Sequence, residues 1–182
     1  MKKDLVNVDE DYIYARVIES LADSLLAIDL FQGGHTRNGA GKAFVAVKSL
    51  ISALVVKFRD NLVEMAKQEN EKEWIKKKGH TAPTHSLKSL GMYFEKIGID
   101  VYLLIEIALD LHDYQYNGFD PDFSPYKDKE QVKNDIIKVV TQVHGLINKY
   151  FVENRETMEI NEKLKNNLEK FVKEQDQEGS PR

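Results

Sequence analysis

Apolar residues recur at steps of three and four along most of this chain, which is the spacing of one face of an α-helix. In residues 35–62 the apolar positions widen well beyond one stripe. A helix that is apolar on most sides is usually buried among other helices. We therefore predict a central helix of about 25 residues here. Its periodic apolar positions are Ala40, Phe44, Val47, Ile51, Leu54, Phe58 and Leu62.

The first turns of this central helix are thin, because Gly39, Gly41 and Ala43 carry little or no side chain. Such residues let a neighbouring backbone or a ligand approach the helix closely. The sequence alone does not decide whether a neighbouring backbone or a ligand approaches the helix here.

Four further segments show the same helical period, separated by glycine, proline and asparagine signals. Asp9 is the expected cap of the first segment, Thr84 of the second and Asp100 of the third. Residues 67–78 are strongly polar and are interpreted as a solvated continuation of the central helix, docked by Trp74 and Ile75. The four segments are residues 9–32, 84–97, 100–117 and 127–151.

From residue 153 the chain is highly charged, with a thin apolar stripe at coiled-coil spacing. This segment extends the last helix, lies across the bundle or pairs with a second subunit, and we expect residues 175–182 to be disordered. No segment alternates with period two for long enough to form a strand. The prediction is an all-α fold: an up-and-down bundle of four to five helices over residues 9–152, with a C-terminal helical extension over residues 153–182.

Composition narrows the class of protein. The net charge is −4 and there is no cysteine, which excludes disulfides, thiolate metal sites and cysteine nucleophiles. The first eleven residues carry no apolar leader, and the longest uninterrupted apolar runs are too short to span a bilayer. We expect a cytoplasmic protein without a membrane partner.

Residues 35–42 read HTRNGAGK and approach a phosphate-binding loop. The nucleotide-hydrolysing pattern is excluded, because Thr36 stands where glycine is needed and Ala43 where serine or threonine is needed. A glycine-rich helix N-terminus with His35, Arg37 and Lys42 still predicts an anion site. The alternative is an ordinary turn between two helices.

Histidines supply a second candidate site. His80, His85 and His112, together with Asp110 or Asp113, offer groups for acid–base or metal chemistry. Their spacing fixes no ligand geometry, so the simpler interpretation is that they pack within the bundle. We therefore predict no metal and no cofactor.

Two charged stretches have similar alternatives. Glu106, Asp110 and Asp113 share one helix face and serve either a basic partner or solvation alone. Residues 76–78 are three lysines beside Trp74, a basic patch that fits contact with nucleic-acid phosphates. Acidic neighbours in residues 69–73 favour a balanced surface helix instead.

Three stretches together resemble the archaeal PaREP1 family: residues 37–56 (RNGAGKAFVAVKSLISALVV), residues 80–90 (HTAPTHSLKSL) and residues 111–117 (LHDYQYN). The resemblance covers residues 15–150. The family is similar to the HEPN helical bundles, which include partners of small nucleotidyltransferases. The resemblance implies a homodimeric bundle that binds a nucleotide, RNA or a partner protein.

HEPN ribonucleases carry an arginine followed four to six residues later by a histidine. No arginine before the end of this chain has a histidine at that distance. We therefore expect a non-catalytic homodimeric binding or regulatory module for a nucleotide, RNA or a partner protein. The alternative is a diverged RNA-directed nuclease or toxin-like enzyme using His85, His112 and Asp110. The candidate ligand-binding residues are His35, Arg37, Lys42, His85 and His112.

Overall fold

The computed structural model describes residues 8–151 and 154–178. These residues form eight α-helices and two short 3-10 turns, at Gly79–Thr81 and Thr84–Ser86, and they contain no strand. The predicted all-α class is confirmed, with more helices than expected. The helices are α1 (Val8–Gln32), α2 (Thr36–Lys57), α3 (Arg59–Met65), α4 (Glu69–Lys78), α5 (Leu87–Lys96), α6 (Tyr102–Asn117), α7 (Lys129–Tyr150) and α8 (Arg155–Glu178).

Helix α2 is the central element, packed against α1, α6 and α7. Leu50, Ile51 and Leu54 are completely buried, so the predicted central helix is confirmed. By length and composition α2 would pass as a membrane span. However, 83% of its most apolar window is buried inside the bundle, which is what the core helix of a helical bundle shows.

The central helix ends earlier than the apolar pattern predicts. The backbone leaves helical geometry at Phe58 and again at Ala66, which is extended with ψ of 134°. A new helix then begins, because the Glu71 carboxylate accepts the backbone N–H of Gln68 at 3.2 Å and so satisfies a free donor at the start of α4. The predictions of one helix to residue 62 and of a polar continuation are therefore wrong. Ile75 does dock α4 on the bundle, being 1% exposed.

Three predicted helix starts shift by a few residues. Asp128 caps α7, accepting the backbone N–H of Gln131 at 2.9 Å. Thr84 opens a 3-10 turn rather than α5, and Val101 rather than Asp100 precedes α6. Of these three helix starts in the described chain, that of α7 alone has a side-chain cap hydrogen bond.

Helix α8 lies across α1 and α7, which is one of the three placements predicted for it. Leu164, Leu168 and Phe171 are buried, and the Phe171 ring meets Phe31 of α1 edge-on at 5.7 Å between centroids. Residues 175–178 belong to α8, so the disorder predicted for them is wrong, while residues 179–182 lie outside the described ranges. The domain boundary at residues 152–153 stays a prediction.

Helices α1 and α2 approach each other by their backbones. A methyl group added at Gly39 would lie 2.9 Å from the Ala27 carbonyl oxygen and 3.1 Å from the Phe31 nitrogen. The glycine therefore admits a neighbouring helix at this point, rather than a ligand. This contact sets the separation of the two helices that flank the pocket described below.

Candidate functional site

The predicted anion site at the start of α2 is only partly available. His35 is the cap residue but makes no side-chain cap hydrogen bond. Arg37 turns away toward the end of α6, where its Nε donates to the Gln115 carbonyl at 2.8 Å and its Nη2 donates to the Tyr116 carbonyl. Its guanidinium therefore caps carbonyls that the end of a helix leaves unpaired.

Lys42 serves a buried carboxylate. Its Nζ lies 2.7 Å from Oδ1 of Asp23, whose side chain is 9% exposed. A carboxylate taken out of water needs a paired charge, and Lys42 provides it. Of the three residues predicted for the anion site, His35 alone makes no side-chain hydrogen bond within the described residues. Anion binding at residues 35–42 stays a prediction.

His85, His112 and Asp110 are not joined into one constellation. His112 stacks on Phe44, with ring centroids 4.1 Å apart, and its Nδ1 is buried without a hydrogen-bond partner. His85 is exposed on the Thr84–Ser86 turn. No hydrogen bond, ion pair or ring contact links the three side chains, and no group of three or more metal-ligating residues occurs, among residues 8–151 and 154–178. The arrangement shows no catalytic geometry.

Each of the two charged stretches contains one ion pair with a neighbouring side chain. Glu106 pairs with Lys88 at 2.9 Å, and Lys77 pairs with Glu73 at 2.6 Å. Asp110 is different, because desolvation together with the nearby carboxylates of Asp135, Asp113 and Glu106 raises its pKa. These faces are those of a solvated surface, with Asp110 as a point of repulsion.

A polar pocket between α1 and α2, the α1–α2 pocket, brings basic, acidic and hydroxyl side chains together. Its volume is about 350 Å³. One wall comes from α1 and a second from α2, and Thr81 also lines the pocket. The lining residues that matter for its chemistry are Tyr12, Arg16, Glu19, Lys48, Ser49 and Ser52.

Hydrogen bonds across the pocket fix most of its polar groups. Arg16 Nη1 lies 2.6 Å from Glu19 Oε2, and Ser49 donates to the same oxygen at 2.8 Å. Tyr12 donates to the His80 carbonyl at 3.0 Å, and Ser52 donates to that carbonyl as well. The wall is thus rigid before any ligand arrives.

Lys48 takes no part in these hydrogen bonds and ion pairs. Its Nζ lies 5.8 Å from the centre of the Phe44 ring, and no carboxylate pairs with it in the described part of the chain. Arg16 is half neutralised by Glu19, and its Nε is buried without a partner. The lining therefore carries two positive side chains and one negative side chain, which favours an anion.

Comparison with known families agrees with the resemblance noted in the sequence. The family model described as the archaeal PaREP1/PaREP8 family matches residues 15–137. The chain belongs to the archaeal PaREP1/PaREP8 family. No curated protein and no solved structure matches the chain. The similarity to HEPN bundles stays a prediction.

The PaREP1/PaREP8 match runs from α1 into α7, so it includes Arg16 and Lys48 of the pocket but not Tyr12 or α8. Sequence reasoning missed this site. The available signal was the four-residue spacing of Tyr12 with Arg16, and of Lys48 with Ser52, which puts each pair on one helix face. Nothing in the spacing shows that the two faces meet.

Proposed function

We propose that this PaREP1/PaREP8 protein is a non-catalytic binding module whose α1–α2 pocket takes a small phosphorylated ligand of the nucleotide class. The observation that supports it is Lys48, a cation of the pocket that forms no ion pair with the described residues. A phosphate group would pair with Lys48 and accept further hydrogen bonds from Arg16. The volume of about 350 Å³ falls within the range of small-molecule sites.

An aromatic ring of the pocket supports a nucleotide over a bare phosphate. Tyr12 lines the pocket and is partly exposed, whereas Phe44 on the facing helix already stacks on His112 and is 4% exposed. The Tyr12 ring is therefore the one that would stack with a base, which adds affinity that inorganic phosphate would lack. The non-catalytic part of the proposal rests on the absent HEPN ribonuclease motif and on the separation of His85 from His112.

Calorimetric titration with adenosine monophosphate tests the proposal. Replacing Lys48 by Gln removes the unpaired charge, and we expect the affinity to fall by roughly 10- to 100-fold, since a hydrogen bond to a charged group is worth about 1.5–3 kcal/mol. The control is Lys76→Gln, an equal change of charge at an exposed position on α4. The control should bind as the parent chain does.

Three results would contradict the proposal. Unchanged affinity in Lys48→Gln would show that the nucleotide does not bind at Lys48 in the α1–α2 pocket. Binding of a short RNA without binding of the mononucleotide would favour an extended nucleic-acid surface instead. Conversion of the nucleotide during incubation would refute the non-catalytic assignment.

The assembly is also part of the proposal: a cytoplasmic homodimer, with a nucleotidyltransferase-like protein as the partner that the HEPN resemblance implies. Light scattering on the full chain tests the homodimer, and a strictly monomeric protein would refute it. Truncation after Tyr150 is not a clean test, because α8 covers Phe31 in the core. Its removal would expose apolar surface and create association of its own.

A further inference from the structure

A second pocket lies between α4 and α5, and it shares no lining residue with the α1–α2 pocket. Its volume is about 350 Å³. The lining contains aromatic, hydroxyl, amide and carboxylate side chains and no lysine or arginine. The lining residues are Asn70, Glu71, Trp74, Ser86, Ser89 and Tyr93.

Two aromatic side chains form walls on different helices. Trp74 on α4 and Tyr93 on α5 are both partly buried and packed against the core. No ring contact joins them in the described part of the chain, so the space between the two helices is not closed by stacking. Lys96 already places its Nζ 4.8 Å from the centre of the Tyr93 ring, within the range of a cation–π contact.

A fixed carboxylate completes the pocket. Glu71 Oε2 accepts the backbone N–H groups of Lys67 at 3.1 Å and Gln68 at 3.2 Å. The Gln68 N–H, and to a lesser degree the Tyr93 hydroxyl, lowers the pKa of Glu71, so the carboxylate is charged at neutral pH. The pocket therefore presents negative charge and aromatic surface together.

We propose that the α4–α5 pocket binds a small alkylammonium group, such as one end of a polyamine. The aromatic walls would receive the alkyl chain and the positive charge, and Glu71 would be the counter-ion. The hydroxyls of Ser86 and Ser89 supply oxygen acceptors for ammonium N–H groups, which a quaternary ammonium lacks. Lys96, outside the lining, competes for the same negative potential.

The chain contains a single tryptophan, so the emission of Trp74 reports this pocket directly. The probes are propylammonium and, as its neutral counterpart, propanol. We expect a saturable change of emission with propylammonium and none with propanol. Tyr93→Leu should abolish the change, and Glu71→Gln should weaken binding by roughly tenfold. Glutamine keeps the helix-start hydrogen bond that Glu71 makes, so this variant is expected to fold.

Lys96→Met gives the sharpest test, because removing a competing cation should raise the affinity roughly two- to fivefold. Damage to the fold would lower it instead. Lys163→Met, the same change at an exposed position of α8, should leave the affinity unchanged. Spermidine and N-acetyl-lysine amide distinguish a free amine from a protein lysine as the source of the ammonium.

An equal response to propanol, no saturable response to any of the amines, or weaker binding in Lys96→Met would each overturn the proposal. These results leave the nucleotide titration of the α1–α2 pocket unaffected, because the two sites share no residue.

Discussion

Gly39 and Gly41 of α2 can each be replaced by alanine, one at a time. The added methyl group meets backbone atoms of α1 at Gly39 and a movable side chain at Gly41, so the two variants compare these two kinds of contact. Both changes add a methyl group to the same turn of the same helix. A methyl at Gly39 would meet the Ala27 carbonyl oxygen at 2.9 Å. The three atoms nearest to a methyl at Gly41 all belong to the end of the Gln115 side chain, the closest at 2.5 Å.

The magnitudes follow from two opposing effects. Each alanine gains about 1 kcal/mol in helix propensity over glycine. At Gly39 the backbone of α1 has to move, and overpacking of this kind costs about 2–3 kcal/mol, so the net loss of unfolding free energy is about 1–2 kcal/mol. At Gly41 the Gln115 amide, which makes no side-chain hydrogen bond within the described residues, rotates away. The net gain there is between zero and about 1 kcal/mol.

Thermal and urea unfolding followed by circular dichroism measure both changes. For a chain of this length about 1 kcal/mol corresponds to about 2–4 °C in Tm. We therefore expect Gly39→Ala to lose about 2–8 °C and Gly41→Ala to lose nothing and to gain at most about 4 °C. A Gly39→Ala variant as stable as the parent would refute the close approach of α1 and α2, and with it the walls of the proposed nucleotide pocket.

Two further predictions concern α6 and α8. Desolvation and neighbouring carboxylates raise the pKa of Asp110, so above the ordinary value of 3.8 the folded state binds more protons than the unfolded state, and stability falls as pH rises. Asp110→Asn should therefore raise Tm at pH 7 and not below pH 3.8. An equal shift at both pH values would contradict the electrostatic cause. Asn161 is 1% exposed; its Oδ1 lies 2.8 Å from His144 Nδ1, and its Nδ2 donates to the side-chain Oδ1 of Asn148 at 2.9 Å. Asn161→Ala should therefore cost about 1–3 kcal/mol and speed hydrogen exchange in α8 but not in α2. Equal loss of protection in both helices would show that α8 does not open separately.

The fold was largely predictable because the helical period is strong wherever a face is buried. Leu50, Ile51 and Leu54 illustrate this, since their spacing alone places them in the core. The break at Phe58 was not predictable, because no glycine or proline marks it and the apolar pattern continues through it to Leu62.

The candidate sites depend on pairs of residues that sequence spacing does not relate. The sequence shows no ion-pair partner for Lys42, whereas in the structure Lys42 pairs with Asp23 on another helix. The sequence gives Lys48 no special pattern, and its importance comes from having no ion-pair partner among the described residues in the pocket where the fold places it. Local patterns give helix faces, whereas the neighbours of each face follow only from the packing.

The contact of Phe31 with Phe171 has a consequence for synthesis of the chain on the ribosome. Helices α1 and α2 are neighbours in sequence and can pair as soon as both have emerged. Phe171, however, is made roughly 140 residues after Phe31, which at about 5–20 residues per second is a delay of roughly 7–28 s. Throughout that delay the α1 surface beneath α8 stays open to water and to chaperones, and it is covered only once α8 has been translated.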